Sequence, residues 1–333
     1  MKKERIYYFD YIKAFLITLV VLGHCMTENT FFHKYIYSWH MSAFFIINGM
    51  LLKYTEFETK KFFGKSGVLI SNIKKLMIPY LIYGFILLFA RWCFSGFDIS
   101  NLRWQLIDLF SLSGVGATWF LPCLFVAQII CFFVMKLSSK FRRDILNNTI
   151  IILFIALLFV LVFLFPIKKY VFLILNRSLL AAAFCLIGVV AFKCAMKLRC
   201  NKTWVACVLS VLVMIISVTF FMITGQNDAS INVLRIGNPF LFLINSILGS
   251  LIPITLFVVL DRIKKVRIEK ALAFFGIHSL TVMGTHQVIM LLLRIPISES
   301  LFMNVLFCFL IMLIEIPVCL FVYKLKLIGA KHD

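Results

Sequence analysis

The stretch IKAFLITLVVLGHCM, residues 12–26, decides the fold. Beyond Lys13 it is almost wholly apolar until His24. A helix rises 1.5 Å per residue, so roughly 20 such residues cross the hydrocarbon core of a bilayer. Imidazole is costly in hydrocarbon. His24 therefore needs a partner, a water-filled cavity or a chemical task.

The rest of the chain agrees with a membrane reading. Of its 333 residues 62% are hydrophobic, and 37 are Phe. Mean hydropathy is +1.02. That exceeds what a soluble domain of this size buries, so lipid is the expected solvent and partner. Only 14% of residues are charged, yet the net charge is +20. In such a protein the excess reports orientation rather than nucleic-acid binding. The ten cysteines are scattered, with no CxxC, and read as small residues of the spans rather than a disulfide or metal framework. Lys2 and Lys3 before an apolar run resemble a signal peptide. Glu4, Asp10 and the lack of a small-x-small site make an uncleaved first span the expectation.

Ten apolar runs are long enough to cross. They lie near 11–27, 36–52, 76–94, 117–135, 148–166, 170–192, 203–223, 239–260, 271–293 and 301–323. The second is at the lower limit of length. The boundary between the fifth and sixth rests on Pro166, Lys168 and Lys169. The N-terminus, 53–75, 136–147, 193–202, 261–270 and the C-terminus together hold 25 of the 34 lysines and arginines. The alternate segments carry only Lys34, Arg103, Lys168, Lys169 and Arg235. The expectation is an all-α integral membrane protein of about ten transmembrane helices, a single domain over 1–333, with both termini cytoplasmic. No loop is large enough for a soluble domain, so function must sit among the spans.

Asp10 and Lys13 lie three residues apart on one helix face at the inner end of the first span. They read either as an interfacial ion pair or as part of a ligand mouth. His24 follows eleven residues later, about 16 Å along the helix. His40 stands near the outer end of the second span, at similar depth. Two histidines on adjacent antiparallel helices favour a shared site, and imidazole titrates near working pH, which suits proton transfer. His278 and His286 are eight apart with no carboxylate nearby in sequence, so no metal site is expected. His33 and His332 read as solvated. Arg177 has Glu315 or an anionic ligand as candidate partners, and Asn245 is a further polar residue within a span. Trp119 reads as an aromatic-belt residue.

Several motifs now fall into a known order. RIYYFDYIKAFLITLVVLGH supplies Arg5, Asp10, Lys13, Gly23 and His24. WHMSAFFIINGM supplies His40, Phe44, Phe45 and Gly49. IKKLMIPYLIYG supplies Lys74, Lys75, Pro79 and Tyr80. TWFLPCLF and FFGIHSLTVMGTH follow. In this order and spacing the chain resembles the acyltransferase 3 family of bacterial membrane O-acyltransferases, in its fucose 4-O-acetylase-like branch. Ser42 replaces the usual Pro, Asn48 the usual Ser, and His278 the usual Asn.

The resemblance implies transfer of an acyl group, typically acetyl, from acyl-CoA to a hydroxyl of a cell-surface or exported glycan, at the cytoplasmic membrane of a bacterium. Acyl-CoA would be a substrate, with no resident cofactor. His24 and His40 would be catalytic. Arg5, Asp10, Lys13, Lys74 and Lys75 would bind acyl-CoA, and Trp119, Arg177 and His286 would line the site. The rival reading is a multi-span transporter or flippase of a sugar or lipid-linked intermediate. Against it, the halves show no repeat and no paired broken helices.

Overall fold

The run that opens the argument forms helix α1, Tyr7–Cys25, in the computed structural model. Residues 5–141, 143–164, 173–199, 203–225, 229–263 and 266–329 are described. Helices α2 (Phe31–Tyr37) and α3 (His40–Tyr54) follow. Next, α4 (Val68–Asn72) runs through a π-helical turn at Ile73–Met77 into α5 (Ile78–Phe94). Helix α6 (Ile99–Phe110) and a 3₁₀ turn at Gly116–Trp119 lead into α7 (Phe120–Ser138). The remainder comprises α8 (Asp144–Leu164), α9 (Leu173–Arg199), α10 (Thr203–Ile223), α11 (Pro239–Ile263), α12 (Val266–Ile277), α13 (Ser279–Leu292) and α14 (Leu301–Gly329). Among the described residues the extended structure is limited to two isolated bridges, Met26 with Ser298 and Ser230 with Arg235.

In their described residues all ten apolar runs are largely helical, but they are not ten equal spans. Among the described residues eight helices are long and apolar enough to cross a membrane, or nine if the bent ninth run is counted as one span. The second run is interrupted at Ser38 and Trp39, where Trp39 leaves helical geometry (φ −146°, ψ −25°). What remains, α3, has 15 residues and measures about 22 Å. The ninth run is bent by 79° between Ile277 and Ser279. Gly276 explains the bend locally. Its Cα lies so close to the Asp10 backbone carbonyl that any Cβ would collide, so α12 is held flat against α1. His278 then takes φ −95°, ψ 9°, and α13 leaves in a new direction. The boundary at Pro166, Lys168 and Lys169 lies outside the described residues, as do His332 and Cys200.

Burial separates an inner from an outer set. Two thirds (67%) of the apolar window of α1 is buried, against 22% for α8 and α10. The outer helices show lipid-facing side chains such as Ile152 and Leu153 on α8 and Ile215 on α10. Helix α3 lies inside, with eleven of its residues buried. It packs on α9 backbone to backbone: Gly49 abuts the Cys185 carbonyl and Gly188 abuts the Ile46 carbonyl. Without a hydrophobic drive between helices in lipid, such small-residue contacts supply the packing that holds them.

The charge alternation yields a test of orientation. In a cysteine-depleted background, Ser300→Cys should react with a membrane-impermeant maleimide added outside whole cells. Lys61→Cys should react only after permeabilisation. The reverse pattern would invert the protein.

Candidate active site

Helix α1 carries one polar cluster at each end. At its N-terminal end Asp10 is 3% exposed. Arg5 grips it as a fork, Nε to Oδ2 at 2.6 Å and Nη2 to Oδ1 at 3.0 Å. Lys13 Nζ lies 2.7 Å from Oδ1. A buried carboxylate is tolerable only when so paired. The ion pair foreseen from spacing is therefore formed, and it includes Arg5. Lys74 and Lys75 are exposed on the π-helical turn, and neither lines a cavity described below.

At the C-terminal end of α1 the histidines gather. The His24 and His286 rings are 5.1 Å apart between centroids. Tyr37 lies edge-on to His24 at 6.5 Å and is 4.9 Å from the His40 ring. Gly23 makes this possible, because a Cβ there would come within 2.8 Å of the Tyr37 ring. His33, expected in solvent, is buried and stacks on Tyr37 at 3.9 Å. The aromatic partner explains the correction: α2 folds back over the end of α1 and carries His33 with it.

Two of these rings are oriented by their own helices. His40 Nδ1 is 2.7 Å from the Ile36 carbonyl, and His286 Nδ1 is 2.7 Å from the Val282 carbonyl. A carbonyl only accepts, so each Nδ1 carries the hydrogen and each Nε2 presents a lone pair. His286 Nε2 is buried without a hydrogen-bond partner. An orphaned acceptor beside His24 is costly as packing, and it suits a group that meets a proton during reaction.

A cavity of about 310 Å³ opens onto His24, His40, His33 and Tyr37. Its other walls are Trp119 and Met283, and Glu28, Asn232 and Arg235 stand at its polar rim. Arg235 lies 3.6 Å from Glu28 across that rim. Trp119 is 6% exposed, a cavity wall rather than a belt residue. Arg177 holds it there. Its guanidinium lies 5.6 Å from the Trp119 ring and donates to the Ser113 carbonyl at 2.9 Å. The suggested pairing of Arg177 with Glu315 is not made, since the Glu315 oxygens are 2.8 and 2.9 Å from the Thr285 hydroxyl. Asp108, on the short helix α6, faces Arg177 and Arg91, and burial pushes its carboxyl above the ordinary range despite them.

A second, smaller cavity of about 110 Å³ is lined by Lys13, Phe44, Asn48, Phe120, Ser279 and Met283, among others. The two cavities are in line. On each of four segments their residues separate in the same sense. Lys13 precedes His24 on α1, and Asn48 follows His40 on α3. Leu124 follows Trp119 at the start of α7, and Ser279 precedes Met283 on α13, while His286 is buried behind the wall and lines neither cavity. Met283 belongs to the walls of both cavities. A linear group can thus be met by Lys13 at one end and by the histidines at the other.

Sequence reasoning missed Tyr37, Glu28, Asn232 and Met283. Tyr37 had a signal, because it lies two residues before the Trp-His pair. The rim residues had none, coming from loops some 200 positions apart.

Comparison with known proteins assigns the chain. No solved structure matches it. The nodulation protein NolL of Sinorhizobium fredii (strain NBRC 101917 / NGR234) is 32% identical over 146 residues, which are 40% of this chain and 37% of that protein. The family model described as an acyltransferase domain matches residues 6–324. Spanning nearly its whole length, that match shows that the chain belongs to the acyltransferase 3 family of membrane acyltransferases.

Proposed function

We propose that the protein moves an acetyl group from acetyl-CoA to a hydroxyl of a cell-surface or exported glycan, across a membrane whose basic, cytosolic side is the Lys13 end. The observation that carries this reading is the pair of cavities in line. The smaller one, about 110 Å³, has Lys13 in its lining, and the larger one, about 310 Å³, is bounded by three histidines.

In this reading the nucleotide stays at the mouth and the thioester arm enters past Lys13. Asp10 holds Arg5 and Lys13 in place for the phosphates. The acceptor sits in the larger cavity against Trp119 and Tyr37. His24 takes the proton of the acceptor hydroxyl as its oxygen attacks the thioester carbonyl carbon. The tetrahedral intermediate collapses with cleavage of the carbon–sulfur bond. The CoA thiolate leaves and is protonated, and the ester stays on the sugar. His286, with its lone pair beside the His24 ring, steadies the imidazolium. His40 presents a second lone pair to the acceptor.

Purified protein in nanodiscs, supplied with acetyl-CoA labelled in the acetyl group and with surface glycan from a strain lacking the gene, should yield labelled, base-labile glycan. Movement of glycan without modification would support the transporter instead.

The exposed lysines give a milder expectation. Lys74→Ala with Lys75→Ala should raise the KM for acetyl-CoA at low salt, with the difference from wild type shrinking as salt is raised. Charges that attract phosphates at an exposed mouth are screened beyond about 10 Å at 0.1 M salt. An unchanged KM at low salt would leave the two lysines as signals of orientation alone.

A further inference from the structure

The smaller cavity has two polar residues that the chemistry above does not use, Asn48 and Ser279. Asn48 belongs to α3, buried on nearly all sides, and it is only partly buried because it opens onto this cavity. One end of its side-chain amide is already engaged. Gln128 Nε2 donates to Asn48 Oδ1 at 3.1 Å, and Cys185 Sγ lies 3.9 Å from the same oxygen. With the oxygen turned towards α7 and α9, the Nδ2 group with its two N–H donors is left for the cavity. Among the described residues Nδ2 donates to none.

The helix has no freedom to withdraw it. Gly49, the next residue, is pressed against the Cys185 carbonyl, so rotation of α3 about its axis would drive the two backbones together. Around Asn48 the wall is apolar, with Phe44, Ile47, Leu51, Phe120 and Leu124. The hydroxyl of Ser279 joins it from α13. A fixed N–H donor in an apolar channel is costly unless something in the channel accepts from it. The space is small, about 110 Å³, and around Asn48 its wall is apolar, so a neutral acceptor such as an amide carbonyl suits that position better than a charged one.

We infer that Asn48 is a donor-binding residue, whose Nδ2 donates to an amide carbonyl in the linear arm of the thioester substrate. Ser279, in the lining of the same cavity, would accept from an arm N–H. This rests on the acyl-transfer reading above and adds to it a recognition point between mouth and reaction centre. The amide in the arm is then read by the protein rather than merely tolerated by it.

The test uses full-length protein in nanodiscs and two donors. One is acetyl-CoA. The other is an acetyl-CoA analogue in which both arm amides are replaced by methylene pairs. Asn48→Leu should raise the KM for acetyl-CoA about tenfold, the scale of one hydrogen bond lost in an apolar setting, with kcat nearly unchanged. For the analogue, Asn48→Leu and wild type should give the same KM. Asn48→Ser, smaller and polar, should show the same selectivity and carries the test if the leucine variant does not fold. Equal effects on both donors, or no effect on either, would overturn the inference while the acyl-transfer reading stands. Wild-type protein that transfers acetyl from neither donor would remove that reading, and the inference with it.

Discussion

His24→Gln should abolish acetyl transfer, with turnover falling by about 10²–10⁴-fold while the protein stays folded and inserted. Glutamine keeps much of the size and hydrogen-bonding capacity of histidine but does not titrate. It therefore separates a base from a structural donor. The structure sharpens the expectation. His24 is held by ring contacts with Tyr37 and His286, which a flat amide can largely replace. A stability effect should accordingly be small, visible as an unchanged size-exclusion profile and unfolding midpoint. The measurement is single-turnover labelling of acceptor at saturating acetyl-CoA. Near-normal turnover in the glutamine variant would show that His24 is not the base, and His40 and His286 would be examined in its place.

Gly49→Leu should prevent folding altogether. A Cβ at this position meets the carbonyl of Cys185, and backbone cannot swing aside as a side chain can. The cost exceeds the ~1–3 kcal/mol of ordinary overpacking, because the two helices must separate along their length. Gly188 faces the Ile46 carbonyl in the same seam, so Gly188→Leu should behave alike. Both variants should give no monodisperse peak after detergent extraction. Leu153→Ala, on the lipid-facing side of α8, should extract normally. A well-folded Gly49→Leu protein would mean that α3 and α9 are not packed at this distance.

Much of this arrangement was legible in the sequence, for reasons that can be named. Apolar runs of membrane length become helices because lipid leaves the backbone no other way to satisfy its hydrogen bonds. His24 stood out because a costly residue in such a run requires a reason. Asp10 and Lys13 were paired by helical spacing alone, and the structure adds Arg5 from five residues upstream.

What was not legible depends on contacts between distant segments. Nothing near residue 278 announces a 79° bend, which follows from Gly276 meeting the backbone of Asp10 at the other end of the chain. Trp119 resembles any tryptophan at the end of a span, until Arg177 is found stacked on its ring. His33 reads as a loop residue, because the fold-back of α2 onto α1 is a tertiary event. Asn48 carries no signal beyond its departure from a motif, since its role depends on Gln128, eighty positions away.

The shortness of α3 has a consequence for the barrier itself. At about 22 Å it falls some 8 Å short of the roughly 30 Å hydrocarbon thickness of a typical bilayer. Its first residue is His40, and Asn48 lies two turns on. The apolar length of this helix is less than that of a typical hydrocarbon layer, and such a mismatch is met by local thinning of the bilayer or by polar groups reaching into it. In the acyl-transfer reading proposed above, a water-soluble carrier on one side and a hydrophilic acceptor on the other would not need to cross a full membrane thickness to meet. In that reading each would descend into its own cavity, and only a two-carbon fragment would make the remaining journey.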